Sequence, residues 1–197
     1  MSKNIMSDFV GYKQVAQAGY ELGLSGTLKI PIGAKQIEIH LIGCGASGGK
    51  PTAAVGGGGG GAGGVAIYTG NLDPADWNNS LTYSTSQIGG NSYVSGSIPS
   101  GKISVKAFAG SPGSIGTGGS GGVTSGATLG YSGDPGLDGQ LVGDGGAGGT
   151  GGSPYGYWLV DAPIQSYTYG TGRQGYDTTL PGESIAGLPG VIVFKWS

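Results

Sequence analysis

The chain has 197 residues, of which 48 are glycine and 10 are proline, so more than a quarter of it consists of residues typical of low-complexity sequences. Its hydrophobic content of 37% and formal net charge of −2 nevertheless favour a folded protein, because disordered chains combine few apolar residues with a high net charge. Nine lysines and arginines are too few for a nucleic-acid interface, and no run of about 18 apolar residues indicates membrane insertion.

Residues 1–24 form a leader that we predict to be an attachment arm. Ser7 and Asp8 are suited to cap a short helix that carries Phe9 and Val10, whereas the glycines of the leader favour an extended arm. In either form its apolar residues predict docking, onto its own domain or onto another chain. The first eight residues lack the continuous apolar run of a secretory signal peptide.

The clearest predicted strand covers residues 35–42, where Ile37, Ile39 and Leu41 alternate with polar side chains. The proline and glycine of residues 31–34 predict a turn that joins it to a strand over residues 27–30. No convincing helix follows residue 24, so we expect a small structure of five or six short strands. The remaining predicted strands cover residues 65–69, 81–86, 102–107 and 191–196.

Between the strands, glycine recurs at every third position over residues 110–122, 133–139 and 143–152, and residues 56–64 are almost all glycine. A period of three is that of an extended left-handed helix, which makes no internal hydrogen bonds and needs backbone partners outside itself. Collagen requires a longer unbroken repeat, and a flexible linker does not explain why the tracts return between strands. We therefore predict a mainly β and irregular fold: short strands plus a bundle of polyglycine II-type helices, with little α-helix.

Several motifs occur in an order seen in a known family. Residues 27–43 read TLKIPIGAKQIEIHLIG, residues 60–68 read GGAGGVAIY, residues 89–94 read GGNSYV, and residues 189–196 read PGVIVFKW. Over about residues 25–197 this order resembles the glycine-rich domain of phage tail fibre proteins. It is also similar to the receptor-binding adhesins at the tips of T-even-like long tail fibres, whose polyglycine helices pack as a layered bundle.

The resemblance implies a non-enzymatic virion protein, assembled in the host cytoplasm, that acts as a tail fibre tip adhesin without a cofactor. Its expected receptor is a host surface glycan or an outer-membrane protein. Residues 1–24 would join another fibre or capsid protein, with a homotrimer as one expected assembly, and residues 25–197 would form the glycine-rich domain. The alternative is a head fibre or capsid decoration protein that uses the same glycine-rich module.

Aromatic residues cluster between positions 153 and 176, among serines and glycines. Tyrosine and tryptophan supply large, stiff contact surfaces, and serine and glycine supply adaptable hydrogen bonds, a mixture that paratopes also use. We therefore predict receptor-binding loops within residues 153–186, with packing over glycine faces as the alternative role of these rings. The candidate residues are Tyr155, Tyr157, Trp158, Tyr167, Tyr169, Arg173 and Tyr176. A smaller group contains Trp77, Tyr83 and Tyr93, and Trp77 is expected to pack.

Residues 43–48 match the glycine pattern of a dinucleotide-binding loop and follow the best predicted strand. A glycine run follows, instead of the helix that would present its N-terminus to a pyrophosphate, so we do not expect a nucleotide. Cys44 is predicted to begin a tight turn as a small buried residue, and as the only cysteine it excludes an intrachain disulfide. His40, the only histidine, is expected on a strand face in a structural role.

The acidic residues do not indicate a metal or a catalytic site. Asp134, Asp138 and Asp144 lie near glycines, but their spacing matches no complete calcium loop and Asp-Gly pairs are ordinary turn dipeptides. No set of acidic and basic groups marks an acid–base pair, which is a further reason to expect no enzyme.

Overall fold

The computed structural model describes residues 12–17, 25–52, 54–86, 89–140, 172 and 187–197. These residues contain no α-helix and one 3₁₀ turn, at Pro74–Asp76. The prediction of a mainly β protein with little α-helix is therefore confirmed for this part of the chain. The strands are β1 (Tyr12–Gln17), β2 (Ser25–Lys29), β3 (Gln36–Ile42), β4 (Val65–Asn71), β5 (Ser80–Ser84), β6 (Ser92–Ile98), β7 (Gly101–Ala107), β8 (Thr124–Ser125), β9 (Leu129–Tyr131) and β10 (Val191–Trp196).

The strands form two five-stranded sheets in which every neighbouring pair is antiparallel. Sheet I has the order β1-β10-β3-β4-β9, and sheet II has the order β2-β5-β6-β7-β8. Residues 12–17 of the leader are thus an edge strand that pairs with β10. No helix among the described residues is long and apolar enough to cross a bilayer.

The two sheets pack face to face around the larger of two apolar clusters; the smaller one, on sheet I, contains Ile42, Val65, Val191 and Val193. On β3 the buried residues Ile37, Ile39 and Leu41 alternate with less buried polar ones, as expected for a strand with one face toward a core. Phe194 of β10 is fully buried, and its ring stacks near Trp196 and meets Tyr83 of sheet II edge-on. Other core residues of the two sheets are Leu28, Leu81, Val94, Ile103, Val105 and Ile192.

The turn at residues 31–34 connects the two sheets instead of closing a hairpin. The N–H of Ala34 donates to the carbonyl of Pro31 at 3.3 Å, and Gly33 has a φ of 92°, a conformation that favours glycine. Strand β2 before the turn lies in sheet II, whereas β3 after it lies in sheet I. The predicted turn is therefore present, and it passes from one layer of the sandwich to the other.

Strand β6 was not predicted from the alternation pattern. Its sequence SYVSGSI contains three serines and a glycine, so few apolar residues mark its inner face. A side chain at Gly96 would place its Cβ 2.6 Å from Leu81 Cδ2, so Leu81 occupies the space that a residue at this position would need. Glycine at position 96 thus serves packing between neighbouring strands, although glycine usually weakens a strand.

A buried carboxylate connects the 3₁₀ turn to the β6–β7 hairpin. Asp76 accepts hydrogen bonds from the N–H groups of Asp73 at 2.8 Å and Ser100 at 2.9 Å. Burial alone would raise the pKa of this carboxyl, but the backbone donors at Asp73 and Ser100 outweigh it and hold the pKa below its usual value. The adjacent Trp77 packs against the core and donates from Nε1 to the carbonyl of Ala34 at 2.9 Å, which confirms its predicted packing role.

Candidate functional site

The predicted receptor-binding residues lie outside the described part of the chain. This applies to Tyr155, Tyr157, Trp158, Tyr167, Tyr169, Arg173 and Tyr176, so their role stays a prediction. The structure does describe glycine-rich segments that come before and after this stretch in the sequence. These segments determine what the candidate loops are attached to.

Within the described ranges, six glycine-rich segments continue directly from strands of both sheets. Residues 43–49 follow β3, residues 108–114 follow β7, and residues 132–140 follow β9. Residues 56–64, 116–123 and 187–190 lead into β4, β8 and β10. Because the strands are antiparallel, all six extend from the same end of the sandwich, and together they are called the glycine layer below.

Residues 56–64 are the central segment of the glycine layer, and their N–H groups donate in two sets with a spacing of about three residues. The first set bonds to residues 108–114: Gly58, Gly61 and Gly64 donate to the carbonyls of Ser114, Ser111 and Phe108 at 2.8–3.0 Å. The second set bonds to residues 134–140: Gly56, Gly59 and Ala62 donate to Gln140, Leu137 and Asp134 at 2.8–3.1 Å. Successive N–H groups thus point to different neighbours.

The carbonyl groups of the same central segment accept from two further neighbours. Gly58, Gly61 and Gly64 accept from the N–H groups of Gly49, Ala46 and Gly43 at 2.7–3.0 Å. Gly56, Gly59 and Ala62 accept from Gly116, Gly119 and Gly122 at 2.8–3.0 Å. The central segment is therefore bonded sideways to four segments, and none of these bonds lies within the segment itself.

Side chains are excluded where the segments approach one another. A Cβ added at Gly58 would overlap the carbonyl of Thr117, one at Gly61 would overlap that of Ser120, and one at Gly63 would overlap that of Gly43. In each case the obstacle is backbone of the neighbouring segment, which cannot move aside as a flexible side chain can. Glycine is required here by the short distance between main chains.

The end of the glycine layer away from the sandwich is closed by two described connections. In residues 50–55 the N–H of Thr52 donates to the carbonyl of Val55 at 2.8 Å. In residues 114–117 the N–H of Ser114 donates to the carbonyl of Thr117 at 2.9 Å, and Ile115 is 56% exposed. The carbonyl of Gln140 is at the same end, since it accepts from Gly56. The last described residue before the aromatic candidates therefore lies at the end far from the strands.

After the first aromatic candidates, the structure describes Gly172 and then residues 187–197. A Cβ at Gly172 would overlap the carbonyl of Gly60, so Gly172 lies beside the central segment. Leu188 accepts a hydrogen bond from Gly45 at 2.9 Å, close to the strand end of the layer. Gln140 and Gly172, the described residues on either side of positions 141–171, thus both belong to the glycine layer or lie beside it, and Arg173 follows directly after Gly172.

Cys44 is fully buried, as predicted, but it does not begin a tight turn. Residues 43–49 run alongside residues 58–64, and Cys44 Sγ donates to the carbonyl of Ser86 at 2.6 Å and accepts from the N–H of Gly190 at 3.3 Å. Burial raises the pKa of the Cys44 thiol above its usual value. The thiol is therefore a protonated, hydrogen-bonded part of the layer.

Residues 43–48 match a nucleotide-binding pattern, but the first four of their backbone N–H groups already donate to other main-chain carbonyls. The N–H groups of Gly43, Cys44, Gly45 and Ala46 donate to the carbonyls of Gly64, Gly90, Leu188 and Gly61 at 2.9–3.2 Å. A phosphate-binding loop needs such N–H groups to point toward the ligand. These glycines belong to the glycine layer and serve its packing.

The described acidic candidates near glycines bond to the backbone of other glycine-rich segments. The carboxylate of Asp138 accepts from the N–H of Gly118 at 2.7 Å, and the carbonyl of Asp134 accepts from Ala62 at 2.9 Å. Asp144 lies outside the described residues. Across the described ranges, no group of three or more histidine, cysteine or acidic side chains is placed to hold a metal ion.

A polar cleft of about 290 Å³ lies at the opposite end of the sandwich, where β3 begins and β10 ends. Its side chains bond mainly to one another. Gln36 Nε2 donates to Asn71 Oδ1 at 3.2 Å, and Lys195 Nζ lies 3.8 Å from Glu38 Oε1. His40 Nε2 also pairs with Glu38, which confirms the predicted place of His40 on a strand face. Among the described side chains that line the cleft, Glu38 is the only carboxylate.

No known protein-family model matches the chain, and no curated protein is similar to it in sequence. Its function is therefore inferred from its residues and their geometry.

Proposed function

We propose that the glycine layer is a bundle of polyglycine II-type helices and that the chain is a non-enzymatic adhesin of a phage virion. The observation that carries the first part is the spacing of the backbone bonds. Gly58, Gly61 and Gly64 donate to residues 108–114, whereas Gly56, Gly59 and Ala62 donate to residues 134–140, so each set repeats every three residues. This is the pattern expected of a helix with three residues per turn and no internal bonds. The pairing of two adjacent extended strands would not give one segment four bonded neighbours.

The proposed bundle provides a stiff support for binding loops. With a rise of about 3.1 Å per residue, the eight steps from Gly56 to Gly64 correspond to about 25 Å between the sandwich and the far end. Each backbone bond contributes only about 1 kcal/mol net, so stiffness comes from many bonds acting together. A support of this kind reduces the conformational entropy that loops lose when they bind.

We propose that the aromatic residues of 153–186 form loops that this support carries, with Gly172 held beside Gly60 of the central segment, and that they contact a host surface glycan or outer-membrane protein. The proposal is supported by the position of Gln140, the last described residue before them, which bonds to Gly56 at the end of the layer away from the strands. Several copies per virion would raise the avidity of a weak individual contact. Residues 1–24, of which β1 pairs with β10 at the edge of sheet I, would carry the connection to another fibre or capsid protein.

The test is adsorption of phage particles that carry the double variant Trp158→Ala/Tyr169→Ala. We expect slower adsorption to host cells with an unchanged unfolding midpoint of the purified chain, because large contact surfaces are removed from loops and not from the core. The matched control is Trp158→Phe/Tyr169→Phe, which keeps an aromatic ring at both positions and should retain most of the adsorption. Wild-type adsorption of the alanine variant would exclude these residues as receptor contacts.

Labelling the chain with an antibody in electron micrographs of the particle tests its position in the virion. We expect label at the tips of the tail fibres. Label on the capsid would instead support a head fibre or capsid decoration protein, and absence of label from the particle would contradict a virion role.

A further inference from the structure

The outer face of sheet II is an open array of hydroxyl groups. Thr27 of β2 lies opposite Thr82 of β5, Thr82 lies opposite Ser95 of β6, and Ser95 lies opposite Ser104 of β7. Leu28, Leu81, Val94 and Val105, the next residues along the same strands, are buried in the core. Since successive side chains of a strand point to opposite faces, the four hydroxyl residues form one row on the outward side.

A second row crosses all five strands of the sheet. It runs from Ser25 through Ser84 and Tyr93 to Lys106 and Ser125. The ring of Tyr93 is 38% exposed in the middle of the row. This combination gives the face a flat aromatic surface next to hydroxyl groups.

Three lysines make the same face cationic. Lys29 lies opposite Ser80, Lys102 lies opposite Ser97, and Lys106 lies four residues beyond Lys102 on β7. The five strands of sheet II contain no aspartate or glutamate. One third of the nine basic residues thus lies on one face of a protein whose formal net charge is −2.

The central hydroxyl groups are available for a ligand. Within the described ranges, Thr27, Thr82, Ser95 and Ser104 make no side-chain hydrogen bond, and Thr27, Thr82 and Ser104 are exposed. Lys106, a member of the second row, has its Nζ 4.5 Å from the centroid of the Phe108 ring, a cation–π contact that orders its ammonium group. A hydroxyl group both donates and accepts, so these rows match a ligand that is itself rich in hydroxyl groups.

We propose that this face binds an acidic polysaccharide, in which sugar hydroxyls meet the Thr and Ser rows and carboxylate or phosphate groups meet the three lysines. The charge balance favours an anionic polymer over a neutral one, and the excess of hydroxyl groups over cations favours sparse charges over dense ones. A nucleic acid, with a phosphate on every nucleotide, fits less well because the face has no arginine and one exposed ring. The inference goes beyond the proposed receptor loops and does not depend on them, because it involves none of residues 153–186.

The test measures binding of the purified full chain to immobilised polygalacturonate, with neutral dextran as the uncharged comparison. The variant is Lys102→Gln/Lys106→Gln on β7, and the matched control is Lys35→Gln/Lys50→Gln, which removes two positive charges elsewhere. We expect the wild type to bind polygalacturonate and not dextran, the β7 variant to bind about tenfold more weakly, and the control to bind like the wild type. A second variant, Thr82→Val/Ser95→Ala, removes hydroxyl groups without changing the charge and should also weaken binding.

Three results would overturn the proposal. The first is equal weakening by the β7 variant and the control, because it would mean that only the overall charge matters. The second is full binding by the Thr82→Val/Ser95→Ala variant, because the hydroxyl rows would then take no part. The third is tighter binding of a single-stranded oligonucleotide than of polygalacturonate under the same salt conditions. Unchanged unfolding midpoints of the variants would show that each effect arises at the surface. The result does not depend on the host-adsorption test of Trp158 and Tyr169, because those residues are not part of this face.

Discussion

The sandwich and the glycine layer are held together by opposite means. In the sandwich, side chains such as Phe194, Ile39 and Leu81 are completely buried and fill the space between two sheets. In the glycine layer, the space between neighbours is so small that a Cβ at Gly58 or Gly61 would overlap a carbonyl group. The first depends on removing apolar surface from water, and the second on hydrogen bonds between main chains.

The comparison shows why the layer is attached to strands at so many places. Glycine loses more conformational freedom on folding than any other residue, at a cost of about 0.5–1 kcal/mol per residue relative to alanine. Fixing the backbone of any residue already costs about 1–2 kcal/mol, and each backbone bond contributes only about 1 kcal/mol, so an isolated glycine segment is not expected to be stable. Because its segments begin or end at strands of a well-packed sandwich, the layer starts from positions that are already fixed.

The largest effect is expected in the sandwich, from Phe194→Ala. The substitution removes a fully buried ring that contacts Tyr83 and Trp196, and should lower the free energy of unfolding by about 4 kcal/mol. Urea denaturation of the full chain measures it. Leu129→Ala, at a position that is 46% exposed, is the control and should change the stability by less than about 0.5 kcal/mol. A loss at Phe194 as small as that of the control would show that the apolar core is not what stabilises the sandwich.

The next effect is expected in the glycine layer, from Gly58→Ala. Adding one methyl group forces the backbone of residues 56–64 away from Thr117, and we expect a loss of about 3 kcal/mol because the obstacle is main chain. Thr117→Ala is the matched control: it keeps the carbonyl that Gly58 faces and removes an exposed side chain, so the stability should stay nearly constant. Thermal unfolding compares the two variants. If Gly58→Ala is as stable as the wild type, the segments are not as close as described.

The loss of stability at acid pH should depend on Asp76, which lies in the sandwich. Its pKa is lowered in the folded state, so the stability it contributes is present above the ordinary aspartate pKa of 3.8 and is lost as the pH falls through the folded value. We expect Asp76→Asn to be about 2 kcal/mol less stable at neutral pH, because two backbone donors lose a charged acceptor. The difference should shrink toward pH 2 in denaturation experiments. A difference independent of pH would assign the effect to packing.

The loss of stability at alkaline pH should depend on Cys44, which lies in the glycine layer. Its pKa is raised by burial, so the stability is complete below the unfolded pKa of about 9 and falls as the pH rises toward the folded value. We expect a loss of about 1 kcal/mol by pH 10 that the Cys44→Ser variant does not show, since serine does not ionise there. Chemical denaturation at pH 7, 9 and 10 compares the two proteins. Parallel profiles would indicate that the Cys44 thiolate is tolerated in the layer.

The elements that were predictable from the sequence are those with a clear period. The alternation of Ile37, Ile39 and Leu41 predicted β3, and the three-residue glycine repeat drew attention to residues 110–122 and 133–139, where the glycines now meet neighbouring main chains. Strand β6 escaped prediction because its serines and Gly96 carry little apolar signal, and its burial depends on Leu81 of another strand.

The sequence did not predict which segments are bonded to each other in the layer, nor the extended conformation at Cys44. A period indicates which backbone groups need partners but not which segment supplies them, and the four neighbours of residues 56–64 come from positions as far away as Gln140. Cys44 stands between two glycines, a context that suggests a turn. The structure places it in an extended run because both glycines are in close contact with other main chains or bonded to them. The aromatic candidates of 153–176 remain a prediction from composition.

The spacing of about three residues between bonds in the central segment restricts how this molecule can change length. Inserting one residue within positions 58–64 would turn the N–H groups that follow it toward different neighbours. An insertion of three residues would return each N–H group to its original direction. Folded variants of this segment are therefore expected to differ in length by multiples of three residues.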